Sequence, residues 1–259
     1  MEGLGKSIAN IREQKESFEG LKVNPRLITI DGPDGAGKTT IAGKVLELLK
    51  EKALKENKDP NDTVYVKYIK YLDTDSQKRL KDLTHKEGVL NDIKGKNDFE
   101  KLAKLYSARA QRSYQDHIVP LLDSGKTVIL DRSELDILRG AIEWGDEKLV
   151  KTVEDYYKKG IITHGVTAGN RIFVSGEAED LWKNLNERGE HKTHNDPKSL
   201  DEMKARLESE DKAEKNILSI PVKGEVNVVN IKNKRCEEKT ESDEQISKLA
   251  KEIISQLKF

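Results

Sequence analysis

The chain has 259 residues, enough for one large α/β domain or a domain with a small lid. Hydrophobic residues make up 35% and charged residues 36%, with Lys+Arg and Asp+Glu equal at 47 each. That balance excludes binding to nucleic acid or an anionic membrane through bulk charge, so any phosphate site must be built from local groups.

In chain order, residues 1–24 carry Ile8, Ile11 and Phe18 among many charges and read as an N-terminal extension helix ended by Asn24-Pro25. No signal-peptide core stands there and no apolar run reaches membrane length, so a cytoplasmic location is expected. A first strand at about 26–30 leads into Gly32-Pro-Asp-Gly-Ala-Gly-Lys-Thr-Thr40, which matches G-x-x-x-x-G-K-[ST] without a gap. A helix follows, with Ile41, Val45, Leu48 and Leu49 on one face. Strand, glycine loop and helix are the context that gives this motif its meaning. The glycines let backbone N–H groups crowd phosphate oxygens, and the helix N-terminus faces the anion. Gly32, Pro33, Asp34, Gly35, Ala36, Gly37, Lys38, Thr39 and Thr40 are therefore expected to cradle the phosphates of a nucleotide. Lys38 reaches the β- and γ-phosphates, and the Thr39 hydroxyl is a ligand of Mg²⁺.

Thr63–Ile69 alternates as a second strand, and residues 76–97 read as an irregular insertion. Phe99–Leu122 has a long helical pattern, and Thr127–Asp131 is a nearly all-apolar strand ending in an acid. Helices are expected at 134–144 and 147–158, then a Gly-rich stretch at 160–169 and a fourth strand at 170–174. Further helices are expected at 178–188 and 199–216, a fifth strand at 226–231 and a last helix at 243–257. Alternating strands and helices predict an α/β fold: a parallel five-stranded sheet with helices on both faces. Residues 25–259 form one such domain, with a lid at about 186–200. The lone Cys236 excludes an internal disulfide, and its polar neighbours do not activate it.

Asp131 ends the third strand beside the glycine loop, where a carboxylate can hold Mg²⁺, often through water. Arg132 follows with the planar fork that suits a phosphate. Arg109 and Arg112 share a face of the preceding helix. Arg188, His191, Lys192 and His194 give the polar loop its cationic character, as in a lid brought onto a transferring phosphoryl group. Zinc is disfavoured there, because the two histidines lack a third ligand.

The stretch Thr29–Thr40 resembles the opening of thymidylate kinases, which carry an acid in the glycine loop followed by Gly-Ala-Gly-Lys-Thr-Thr. Leu105–Arg112 is similar to the family's helix with a substrate-facing arginine, here Arg109. Gly125–Ser133 is similar to its Asp-Arg-Tyr strand end. The resemblance implies a P-loop nucleotide kinase fold with ATP and Mg²⁺ as cofactors and, in turn, a homodimer. It implies that Asp34, Arg109 and Arg132 face a nucleoside monophosphate, dTMP first among candidates. Ala36 leaves no arginine in the glycine loop, so Arg188 is the lid arginine that would join Lys38 and Arg132 in catalysis. Three departures fall on the acceptor side. Lys70–Asp73 replaces the Arg-Glu-Pro signature, Ser133 replaces the Tyr, and Glu134–Ala141 lacks the usual base-reading Ser and Gln. A deoxynucleoside kinase, with Asp73 or Asp75 as general base, and a P-loop ATPase without a small acceptor are the alternatives.

Overall fold

The computed structural model describes residues 21–68, 107, 110–143, 147–187, 197–236 and 239–259. Five strands form one parallel sheet: β1 (Lys22–Asp31), β2 (Thr63–Lys67), β3 (Thr127–Asp131), β4 (Val166–Ser175) and β5 (Asn227–Lys232), in the order β2-β3-β1-β4-β5. β1 is central, with Leu27 opposite Val128 of β3 and Ile28 opposite Asn170 of β4. The strand order reverses at β1, and in such sheets the crevice beyond the strand C-termini at that point is where ligands bind.

Helix α1 (Lys38–Lys55) follows β1, and a short α2 (Val119–Asp123) leads to β3. Next come α3 (Leu135–Glu143) and α4 (Glu147–Lys158) before β4, then α5 (Ala178–Glu187) and α6 (Leu200–Leu218) before β5. Helix α7 (Lys239–Gln256) closes the chain and packs on α1.

The strands read as unbroken apolar runs because both faces are covered. Leu27, Val128 and Leu130 point into a core shared with Ile118, Leu138, Val153 and Ile217. Ile28, Ile30 and Ile129 point the other way, into a core with Ile41, Val45, Leu181 and Ile253. One-residue alternation in each strand thus feeds two cores.

The structure corrects the expected start of the domain. β1 begins at Lys22, so Asn24-Pro25 lies inside a strand and does not end a helix. Lys22, Val23 and Asn24 pair with Val166, Thr167 and Ala168, and the register shifts between Asn24 and Ile28. That bulge absorbs Pro25, which has no N–H to donate to a ladder. The same pairing starts β4 at Val166, four residues before the expected 170. Residues 1–20 of the expected extension, the 76–97 insertion and most of the expected lid lie outside the described residues.

Gly169 makes the bulge possible. A Cβ there would meet Pro25 Cα at 2.5 Å and the Asn24 carbonyl oxygen at 2.7 Å. Gly169→Ala is expected to cost about 1–3 kcal/mol, the usual cost of overpacking against a backbone that cannot give. Urea unfolding checks this; an unchanged midpoint would contradict it.

Candidate active site

The glycine loop joins β1 to α1 through residues in conformations that side chains resist. Gly32, Gly35 and Gly37 have φ of +136°, +90° and +81°. A Cβ on Gly32 would lie 2.0 Å from the Val174 carbonyl oxygen, and one on Gly35 2.8 Å from that of Leu181. These glycines are required by backbone packed behind them as well as by any phosphate in front. Helix α1 starts directly after, with Gly37 left-handed, no side-chain cap and no acid in its first turn. Its leading N–H groups and the positive end of its dipole are thus left to an anion.

Side chains from elsewhere hold the loop. Asn184 of α5 donates to the Gly35 carbonyl at 3.1 Å, and Asn233, just past β5, donates to that of Ala36 at 2.9 Å. Gln245 of α7 in turn donates to Asn233 Oδ1 at 2.7 Å. Nothing local in the sequence marked these three residues.

Lys38 is only 5% exposed. Its Nζ donates to the carbonyls of Gly32 at 2.6 Å and Pro33 at 2.7 Å, and stands 3.9 Å from Asp34 Oδ1. Burial pushes the ammonium below its ordinary value, opposed by Asp34. A buried cation held by two neutral carbonyls and a distant carboxylate is under-compensated, so it favours an arriving anion.

Asp131 ends β3 across from α1. Its Oδ2 accepts from Thr39 Oγ1 and from the Tyr65 hydroxyl, each at 2.7 Å. Its Oδ1 is buried without a hydrogen-bond partner. Burial, then the Asp131 carboxylate, hold the Tyr65 phenol well above its usual value, so it remains a donor. Hard oxygen donors side by side, one with an unsatisfied lone-pair face, fit Mg²⁺. Among the described residues no cluster of three or more His, Cys, Asp or Glu could hold a metal, so such an ion would draw its other ligands from phosphate and water.

Arg132 turns the corner after β3 at φ +73°, a left-handed conformation that costs a side chain about 1–2 kcal/mol. Its N–H reaches the Ile30 carbonyl at 3.0 Å, and its guanidinium pairs with Asp34 at 2.7 Å and Asp136 at 2.9 Å. Arg206 of α6 reaches the other Asp34 oxygen at 3.2 Å. Burial alone would raise the Asp34 carboxyl, but Lys38, Arg132, Arg139 and Arg206 outweigh it and hold it well below the usual range. Asp34 is thus ionised at any pH the protein meets. Arg139 extends the lattice to Glu143 at 2.7 Å and Glu210 at 3.0 Å.

Beneath the corner runs a buried polar spine. Ser133 donates to Asp31 at 2.9 Å, and Glu134 pairs with the fully buried Arg171 at 2.6 Å. Tyr114 donates to Glu134 at 3.1 Å, and Arg171 donates to the Tyr157 hydroxyl at 2.6 Å. Burial raises the Asp31 carboxyl to about 7, against the pull of Arg171.

Of the residues singled out from sequence, Lys38, Thr39, Asp131, Asp34 and Arg132 meet at the C-terminal edge of β1 and β3. Arg109 and Arg188 lie outside the described residues. Asp136, Arg139, Arg206 and Glu210 were not anticipated; they sit on helices whose patterns showed only amphipathicity.

Residues 30–138 match the family model for thymidylate kinase. A probable thymidylate kinase of Archaeoglobus fulgidus is 35% identical over 108 residues, which cover 41% of this chain and 44% of that protein. A thymidylate kinase of Bacillus pumilus is 32% identical over 107 residues, 40% of this chain and 43% of that one. A solved thymidylate kinase of Ehrlichia chaffeensis aligns with a TM-score of 0.50 at 19% identity, over 90% of this chain and 98% of that chain. The family model and the curated relatives carry the same description, thymidylate kinase, and the solved structure shares the fold. The matched stretch spans under half the length of the curated relatives. It runs from the end of β1 through the glycine loop and the Asp131-Arg132 corner into α3. The thymidylate kinase likeness of the remaining chain is one of fold. No described helix is long and apolar enough to cross a membrane.

The raised Asp31 carboxyl makes a pH prediction. Its folded value of about 7 lies above the ordinary 3.8, so the native state binds the proton more tightly. The stability this confers is present at low pH and lost as pH rises from about 4 to about 7. Relative to Asp31→Asn, the wild type is expected to lose about 1.4 kcal/mol per pH unit across that window. Urea unfolding at several pH values measures the difference; parallel pH profiles for the two proteins would contradict it.

Proposed function

We propose that the protein is a nucleotide kinase that moves the γ-phosphoryl of ATP onto a (deoxy)nucleoside monophosphate, with dTMP the first candidate. The observation that carries the reading is the buried Lys38 ammonium at the mouth of the glycine loop, facing the Arg132–Asp34 pair across the sheet edge. One side suits a triphosphate and the other a second anion. Phosphoryl transfer asks the protein for alignment and charge neutralisation more than for bond chemistry.

In this reading residues 32–40 cradle the phosphates of ATP. Lys38 follows the γ-phosphoryl as its charge spreads over the equatorial oxygens, and Arg132 and the lid residue Arg188 share that charge. Thr39 and Asp131 would hold Mg²⁺, which would neutralise negative charge on the phosphates. Asp34, held ionised, accepts hydrogen bonds from the acceptor, and Arg109 contacts it from the preceding helix. A homodimer and a cytoplasmic location belong to the same proposal, as does a single kinase domain that includes β1 from Lys22 and carries a lid near 186–200.

The test is a transfer assay with ATP and Mg²⁺ over nucleoside monophosphates and the matching nucleosides. Monophosphates are the expected acceptors. Transfer to thymidine and not to dTMP would favour a deoxynucleoside kinase, and acceptor-independent hydrolysis a regulatory ATPase. Lys38→Ala is expected to lose about 3–4 kcal/mol of transition-state stabilisation, a several-hundredfold fall in kcat/KM. Full turnover in Lys38→Ala would remove it from the mechanism.

A further inference from the structure

Among the described residues, Lys38, Arg132, Arg139 and Arg206 form an ion lattice with Asp34, Asp136, Glu143 and Glu210 beside the glycine loop. A monophosphate would bring about two further negative charges at neutral pH. A guanidinium that turned from a protein carboxylate to the ligand would offset that charge.

Arg132 is committed through contacts of 2.7 Å and 2.9 Å, and Arg139 through one of 2.7 Å. Arg206 meets both Asp34 and Glu143 at 3.2 Å. Arg206 also approaches from a separate element. Arg132 comes from the β3 corner and Arg206 from α6, and the two grip different oxygens of one carboxylate. Two guanidiniums converging on two oxygens of an anion is the arrangement that recognises a phosphate as well as a carboxylate. The Arg206 side chain is largely buried, at 12% exposure.

We infer that Arg206 is a second acceptor-anion residue, which together with Arg132 takes the acceptor's phosphate beside Asp34. This rests on the reading above that the acceptor is a nucleoside monophosphate. It adds a binding role for α6, the helix beyond the stretch matched by the family model. Arg206 occupies an ordinary polar position in the repeat of α6, and only the fold carries it to the glycine loop.

Calorimetric titration of the full chain with dTMP, AMP and ATP·Mg²⁺ tests it, on wild type, Arg206→Met and Arg206→Lys. For the monophosphate the wild type binds best, Arg206→Met is expected to lose about tenfold to a hundredfold in affinity. Arg206→Lys should recover part of the loss, while ATP affinity stays as in wild type. Three results would overturn the inference: unchanged monophosphate affinity in Arg206→Met, a parallel loss of affinity for ATP, or no monophosphate binding by wild type. Arg206-dependent monophosphate binding without phosphoryl transfer would leave this inference standing and remove the kinase reading instead.

Discussion

The structure depends on a buried positive charge that the protein does not fully neutralise. Lys38 is placed by three left-handed glycines and a helix that begins immediately behind it. Its ammonium rests on two carbonyl oxygens, with the nearest carboxylate 3.9 Å away and already claimed by arginines. A buried ammonium in that state is a standing attraction for phosphate. The demanding backbone around it is maintained by packing, with β4 against Gly32 and α5 against Gly35, and by the amides of Asn184 and Asn233. The cradle is therefore a property of the sheet and three surrounding elements, and not of nine residues alone.

The opposite wall solves a different problem. Arginines that must meet an anion in a low-dielectric cleft need partners when the anion is absent, since an unpaired buried charge is costly. Asp34, Asp136, Glu143 and Glu210 serve as those partners. The positive-φ corner at Arg132 is held from below by Ser133 on Asp31 and by Glu134 on Arg171. In thymidylate kinases, as the resemblance has it, a Tyr follows the Asp-Arg pair. Here the smaller Ser133 turns inward onto a buried acid, and Tyr65 and Tyr114 supply hydroxyls from neighbouring elements.

Much of this was legible in the sequence because the signals are local. The glycine loop, the apolar runs of β1 and β3 and the Asp131-Arg132 pair each declare themselves within ten residues, and their order implies the parallel sheet. Pro25 misled, because a proline after Asn reads as a breaker, while a bulge opposite Gly169 lets it sit inside β1. The acceptor wall was illegible for a different reason. Asp34 and Arg206 are 172 positions apart, and Asn233 and Ala36 are 197 apart. No periodicity or spacing links residues that meet only after the sheet has ordered its strands β2-β3-β1-β4-β5.

The most direct measurement is a crystal structure with a non-hydrolysable ATP analogue and Mg²⁺. The account predicts that Lys38 Nζ leaves the Gly32 and Pro33 carbonyls for phosphate oxygens, with the divalent ion beside Thr39 and Asp131. A triphosphate bound elsewhere, with Nζ still on those carbonyls, would contradict it.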